Sequence, residues 1–300
     1  MDNCGCIGVV TVTYNSANVL PDFIRCLTAQ RLSKFTLYVV DNASSDATMQ
    51  LLENCRDPRV RVIANRQNRG VAEGNNQGIQ CALEDGCEAI LLLNNDTEFD
   101  EHLIMRLAEG LVEHDADMTC PKIMYFDNPE QIWCAGGAFE LWRDCGANHI
   151  GYDEIDRKQY DHVRRVSYVP TCCVLIRKEV FRKVGLMDAR YFVYMDDVDF
   201  MYRAWKLNVK LVYLPNTRLL HKVGGLTGGE ESPFSIRYDT RNQVFFHFKH
   251  FGLLRSIPWL LHCQLRYVAK LAVGKKSWRW FRLKETAFLE GLKLLPKLRK

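Results

Sequence analysis

Short apolar runs alternate with amphipathic stretches along the first 120 residues. Residues 6–13 (CIGVVTVT), 36–40 (TLYVV), 60–63 and 89–93 (AILLL) are strand-length runs rich in Val, Ile and Leu. Between and after them, residues 19–29, 46–54, 72–83 and 101–112 carry helical spacing. In the first, apolar side chains fall at 19, 20, 23, 24 and 27. Continuous apolar strands separated by helices predict a parallel sheet covered on both faces. Such sheets bind ligands at the carboxyl ends of their strands. Those ends are polar here: Thr13-Tyr14-Asn15, Asp41-Asn42, Asn65 and Asn94-Asn95-Asp96.

Residues 121–167 are less regular. Gly136-Gly137 and a charged run over 153–165 read as an insert that shapes a substrate site. An apolar strand is predicted over 166–176, then a helix over 178–184 stopped by Gly185. A helix over 196–206 opens with acidic residues, where the helix dipole favours them. A strand over 209–214 is closed by Pro215. His221 follows, then a glycine-rich stretch (Gly224, Gly225, Gly228, Gly229) read as a mobile loop. Beyond residue 250 the pattern becomes helices with one basic face. Ile257, Leu261, Leu265, Val268 and Ala272 lie opposite His262, Arg266 and Lys270. Over 278–295, Phe281, Phe288, Leu292 and Leu295 lie opposite Arg279, Arg282 and Lys293.

The chain has 300 residues, 47% hydrophobic and 25% charged, the balance of an ordinary globular protein. That excludes a disordered, collagen-like or polytopic membrane chain. Net charge is +4 but uneven: residues 251–300 hold 12 Lys and Arg against 2 Asp and Glu, net +10, leaving the first 250 residues at −6. Three of the six tryptophans also lie in the last fifty residues. A basic, aromatic, amphipathic tail suits a helix lying in a membrane interface. The alternative is a tail packed on the body or on a second subunit. No run reaches about 18 uncharged apolar residues, so no spanning helix is expected. The first six residues lack a basic segment and a cleavage site, so no export is expected. The 12 cysteines are scattered without a Cys-x-x-Cys pair and read as reduced core residues rather than disulfides or zinc ligands.

Four features bear on chemistry. Asp96 stands just past a buried strand, placed either to hold Mg²⁺ or Mn²⁺ together with substrate phosphates or to cap the next helix. Asp196, Asp197 and Asp199 crowd three carboxylates into four residues. At least one needs a counter-ion or a raised pKa. That is a setting for a general base, or else a solvated helix start; the apolar run 191–195 before them favours acids emerging from the core. His221 could complete a metal site with Asp96, or be structural. Gly70, Gly74 and Gly78 lay a bare stripe along one helix, for close approach to the sheet or to a ligand. The run is neither Gly-x-Gly-x-x-Gly nor a Walker loop, which removes the main support for a dinucleotide oxidoreductase or a P-loop NTPase.

The segments VTYNS (12–16), VVDNASSD (39–46), NRGVAEGNNQG (68–78), LLLNNDT (91–97), GLMDARYFVYMDDVDFMYRAW (185–205) and LPNTRLLH (214–221) occur in this order. Together they resemble family 2 glycosyltransferases over residues 7–250. LNNDT and TRNQ (240–243) look most like bacterial rhamnosyltransferases of surface polysaccharide synthesis. The resemblance implies an α/β fold of GT-A type with a mostly parallel sheet. It implies a transferase domain over 1–250, its nucleotide-binding half about 1–120 and its acceptor half about 121–250, and then the basic helical tail 251–300. It implies inverting, metal-dependent transfer of a sugar to a glycan or lipid-linked acceptor. The best match is L-rhamnose from dTDP-rhamnose. A galactofuranose or hexose from a UDP-sugar is the rival. The tail would hold the enzyme on the cytoplasmic face of the cell membrane, and no nucleic-acid partner is implied.

The resemblance also assigns residues. Tyr14 and Asn15 line the nucleotide pocket and Asp41 holds the base. Thr13, Asn42, Asn68, Gly70, Asn75 and Asn95 belong to the donor side, and Arg241 is placed to pair with diphosphate. Asp96 matches the last acid of the metal-binding Asp-x-Asp motif, whose first acid is replaced by Asn94, and His221 joins them. Asp197 matches the catalytic base, with Asp196 beside it in the acceptor pocket. A nucleotidyltransferase is disfavoured, because Tyr14-Asn15-Ser16-Ala17 stands where its glycine-rich basic loop would be. A non-catalytic scaffold is favoured by Asn94 and disfavoured by Asp96, Asp197 and His221 together.

Overall fold

A computed structural model describes residues 5–140, 146–223 and 232–295. The glycine-rich stretch after His221, and the first four residues of the leader reading, lie outside the described residues. The chain divides into two compact units. The first runs to Phe139 and adds Ala147–Phe192 and Asp196–Val223; the second holds Val193–Met195 and the helices beyond residue 232.

The first unit contains β1 (Ile7–Thr13), α1 (Leu20–Thr28), β2 (Phe35–Asp41), α2 (Thr48–Asn54), β3 (Val60–Ala64), α3 (Val71–Glu84), β4 (Ala89–Leu93), β5 (Thr97–Phe99) and α4 (Leu103–Glu113). It continues with β6 (Met118–Tyr125), β7 (Ile132–Cys134), β8 (Gly137–Glu140), β9 (Gly146–His149), β10 (Arg164–Val166), β11 (Cys173–Arg177), α5 (Lys178–Val184), α6 (Asp196–Lys206) and β12 (Leu211–His221). The sheet order is β10-β12-β6-β11-β4-β1-β2-β3, with β5 on β12 and β7 on β6; β8 and β9 pair separately. β3, β2, β1 and β4 are parallel, as are β6 and β12, while β11 runs antiparallel between β4 and β6.

β1, β2 and β4 are buried on both faces, which is why they read as apolar runs, while β3 at the sheet edge stays partly exposed. One face packs Ile7, Val9, Leu37, Val39 and Leu91 against Leu20, Phe23, Leu27, Leu103 and Leu107. On the other face α3 lies almost on β1. A Cβ at Gly74 would meet the Val12 methyls at 2.9 Å, and one at Gly78 would overlap Val10. Those two glycines therefore serve the sheet rather than a ligand.

Two strand expectations are corrected. The run 166–176 is two strands, β10 and β11, interrupted where Pro170 offers no ladder N–H. β12 does not close at Pro215. It continues to His221 with a register shift against β6 between Leu214 and Arg218, the irregularity at which a strand tolerates proline. That extension carries His221 into pairing with Thr97 of β5.

In the second unit, α7 (Pro233–Ala272) is interrupted at Gly252 (φ 70°), and α8 (Trp278–Lys293) starts at the Ser277 cap. α7 starts well before residue 251, so the expected tail is its second half plus α8. α8 packs on the first half of α7: Gly291 closes on the Arg241 carbonyl and Val244, and Arg237 Nε is 2.8 Å from Glu290. Asn242 Nδ2 donates to the Val193 and Tyr194 carbonyls at 2.7 and 2.8 Å. Leu254 (88% exposed), Leu261, Leu265 and Val268 leave an apolar stripe bare on α7. Among the described residues, no helix is long and apolar enough to cross a membrane, and the cysteines are free thiols.

Candidate active site

The carboxyl ends of β1, β2 and β4 are joined by one hydrogen-bond network. Asp41, 1% exposed, accepts from Thr13 Oγ1 (2.9 Å), Ser44 N (2.9 Å) and Ser44 Oγ (2.6 Å). Asn15 adopts a left-handed backbone (φ 51°), with its N–H on Ser44 Oγ and its Oδ1 accepting from Ser45 N, each at 2.8 Å. Asn tolerates that conformation better than a branched side chain would. Tyr14 beside it is 46% exposed. Asn42 donates to the Gly70 carbonyl (3.0 Å) and accepts from Asn65 (2.9 Å), while Asn68 Oδ1 accepts from Gly70 N (2.8 Å). Asn95 Nδ2 donates to the Val12 carbonyl (2.6 Å) and ties β4 to β1.

Gly70, at φ 84°, has no room for a Cβ against the Phe192 backbone, and Val71 N donates to the Phe192 carbonyl (2.6 Å). Asn75 donates to Met187 Sδ (3.7 Å). Asn76, which the sequence reading did not single out, exchanges two 2.9 Å bonds with the Met187 backbone. α3 thus anchors the segment that leads towards α6. Arg241 lies in the second unit, where its Nε donates to Asn242 Oδ1 (2.8 Å) and its guanidinium sits 4.7 Å from the Tyr238 ring.

Asp96 precedes a strand, so it caps no helix. Its Oδ1 is 3.4 Å from His221 Nε2, brought there by the pairing of β12 with β5. Asp96 Oδ1 and His221 Nδ1 are both buried without a hydrogen-bond partner. Orphaned polar atoms of this kind call for an explanation, an ion being one. Asn94 is exposed; its N–H goes to the Cys172 carbonyl (2.9 Å) and its own carbonyl accepts from Thr97 (2.7 Å). Among the described residues no cluster of three or more His, Cys, Asp or Glu forms a ready metal cage.

The three acids of α6 separate by environment. Asp199 is fully buried and paired, its Oδ2 on Arg203 Nε (2.8 Å) and its Oδ1 accepting from the Tyr191 hydroxyl (3.1 Å). Asp196 is 4% exposed, and burial, with the Asp197 charge beside it, pushes it up to about 8. Burial also raises Asp197, against hydrogen bonds from the Tyr168 hydroxyl (2.8 Å to Oδ2) and Val198 N (2.8 Å to Oδ1). Asp197 keeps part of its surface open. Just ahead of α6, Phe192, Tyr194 and Met195 all have positive φ, between 63° and 68°. Strain of that density is concentrated at functional sites.

Tyr168 belongs to an aromatic wall that the sequence reading missed. His149 stacks on its ring (5.8 Å), Trp133 packs edge-on against His149 (4.6 Å), and His221 meets the same Trp133 (4.6 Å). The wall runs from Asp197 to the Asp96–His221 pair within the first unit. Its members are far apart in sequence and follow no period, so no local signal marked them.

A model described as Glycosyl transferase family 2 matches residues 8–185. An N-acetylglucosaminyl-diphospho-decaprenol L-rhamnosyltransferase of Mycobacterium tuberculosis is 24% identical, covering 94% of this chain and 97% of its own. A dTDP-rhamnosyl transferase, RfbF, of Shigella flexneri is 23% identical, covering 96% and 95%. The solved structure of GalNAc-T7 with UDP, GalNAc and Mn²⁺ superposes with a TM-score of 0.68 at 15% identity; it covers 98% of this chain, which spans 57% of that one. That likeness shows the shared fold. With more than half of its length matched by the family model, the chain belongs to glycosyl transferase family 2 and is a glycosyltransferase.

Proposed function

We propose that the protein transfers L-rhamnose from dTDP-rhamnose, with inversion, to a hydroxyl of a glycan or lipid-linked oligosaccharide acceptor. The observation that carries this reading is the Asp197 carboxylate. It is partly open, raised by burial and held at both oxygens, in the same unit as the donor-end network and the Asp96–His221 pair. The choice of rhamnose rests on the names of two relatives that match over nearly their whole lengths.

In this reading the network around Asp41, Asn15 and Asn42 binds the nucleotide. Gly70 and Asn75 bring the α3 segment to the donor. Asp197 takes the proton of the acceptor hydroxyl as that oxygen attacks the anomeric carbon, while the bond to the diphosphate breaks on the opposite face. Asp196 shapes the acceptor pocket beside it. The unpartnered Asp96 Oδ1 and the His221 Nε2 that faces it at 3.4 Å support a divalent cation between them, with Asn94 as a neutral third group and diphosphate oxygens completing the set. Bound Mg²⁺ or Mn²⁺ would offset the charge that grows on the leaving group.

The bare stripe of α7 and the basic residues of α7 and α8 support a second part of the proposal. They lie on an anionic membrane surface, on the cytoplasmic face, where lipid-linked acceptors are presented. Truncation after residue 250 is expected to release the protein from anionic vesicles.

The test is a panel of nucleotide sugars assayed for binding and turnover, with and without Mg²⁺ or Mn²⁺. Metal-dependent turnover of dTDP-rhamnose is expected. Turnover of a UDP-sugar in its place would overturn the donor and keep the mechanism. Failure to bind any donor would leave only a non-catalytic scaffold.

A further inference from the structure

The Tyr168 hydroxyl reaches Asp197 Oδ2 at 2.8 Å from the segment that follows β10, 29 residues away in sequence. The ring is buried and fixed. His149 stacks on one side at 5.8 Å and 22°, and Phe139 packs edge-on at 5.7 Å. The other Asp197 oxygen takes the N–H of Val198 at the start of α6. We propose that Tyr168 is a positioning residue for Asp197, donating a hydrogen bond that holds the carboxylate in place and keeps its ionised form available to accept the acceptor's proton. This rests on Asp197 being the base.

The electrostatics around the pair point the same way. Asp196 lies beside Asp197 at the start of α6, with Asp199 in the same turn. Asp199 is committed to Arg203 and Tyr191. Cys134 faces Asp197 from β7, and burial pushes that thiol up to about 12, so it stays neutral. His149, behind Tyr168, is lowered to about 4 by burial; its Nδ1 lies 3.1 Å from the Trp133 carbonyl, so that nitrogen carries the proton of a neutral ring. Arg164, whose charge also reaches Cys134, donates to the Ala135 carbonyl at 2.7 Å, and among the described residues no ion pair is made to Asp197. Burial and the Asp197 charge push the Tyr168 phenol well above its ordinary range, so it remains a donor at every working pH.

Burial raises Asp197 and so disfavours the ionised form that a base needs. A donor to the ionised form works against that. Tyr168 therefore does two things a purely apolar wall could not. It lowers the cost of the charge on Asp197, and it fixes the rotamer that presents the remaining lone pairs.

The experiment compares three variants of the full chain, with donor binding measured beside turnover. Tyr168→Phe keeps the ring and removes the hydroxyl. Its acid limb in the kcat/KM profile is expected to move up by about one pH unit, with kcat near neutrality falling about tenfold or more, donor affinity unchanged, and partial rescue at higher pH. Phe139→Leu loosens the same ring stack but keeps the hydroxyl, and its acid limb should stay in place. Asp197→Asn should be inactive while binding donor. If Asp197→Asn still turns over at the wild-type rate, the base assignment fails and this proposal with it. If Asp197→Asn is dead but Tyr168→Phe keeps the wild-type limb and kcat, the proposal fails and the base assignment stands. Equal limb shifts in Tyr168→Phe and Phe139→Leu would assign the effect to packing and overturn it too.

Discussion

Asp41 and Asp196 are both carboxylates removed from water, and the fold treats them in opposite ways. Asp41, at the end of β2, takes three hydrogen bonds from Thr13 and Ser44. Asp196, at the start of α6, sits against a second carboxylate and is pushed up to about 8. The first region resembles a finished binding surface, with donors and acceptors set before any ligand arrives. The second stores electrostatic cost where proton transfer is proposed. In the proposed function, that difference separates recognition from chemistry within a single sheet unit.

The largest expected effect breaks the second region. Asp197→Asn should lower kcat by about 10²–10⁴-fold, the range of a lost general base, in a steady-state assay with donor affinity intact. Next come the atoms left without partners at the edge between the regions. Asp96→Asn and His221→Ala should each weaken Mn²⁺ binding at least about tenfold, read by titration of the metal's paramagnetic signal.

The comparison itself is sharpened by a pair of variants with opposite signs. Asp41→Asn leaves the Thr13 and Ser44 donors facing an amide, and should cost about 1–3 kcal/mol in denaturant unfolding. Asp196→Asn removes a charge the fold disfavours, so above pH 8 it should leave stability equal or higher.

A smaller effect tests the same contrast through pH. With Asp196 raised in the fold from 3.8 to about 8, the native state keeps a proton that the unfolded chain has lost. Stability from this group is full below about pH 4 and lost as pH rises to about 8. His149 and His247 are lowered from 6.5 to about 4 by burial, so their contribution is present above 6.5 and lost as pH falls towards 4. Between pH 6.5 and 8 the slope should therefore come from the Asp196–Asp197 pair, both raised by burial, and not from these histidines. A melting series should show Tm falling there in the wild type, with a reduced fall in Asp196→Asn. A change of similar size to Asp41→Asn concerns the sheet: Gly78→Ala, pressed on Val10, should cost about 1–3 kcal/mol.

The parallel half of the fold was legible because strands buried on both faces leave unbroken apolar runs, and helices between them leave period-3.6 stripes. The polar residues at those strand ends stood out for the same reason. β12 was cut short at Pro215 because a proline ordinarily ends a ladder; the register shift that admits it is set by β6, which sequence pattern cannot reveal. Among the α6 acids, Arg203 four residues after Asp199 was a readable partner at helical spacing. Tyr168, Trp133 and His149 were unreadable, since each acts through a neighbour brought near only by the completed sheet.

The most direct measurement is a single-turnover assay of Asp197→Asn with saturating nucleotide sugar and acceptor, alongside calorimetric donor binding. The account predicts wild-type donor affinity with transfer lost by at least about a hundredfold. Transfer at the wild-type rate, with donor bound, would contradict it.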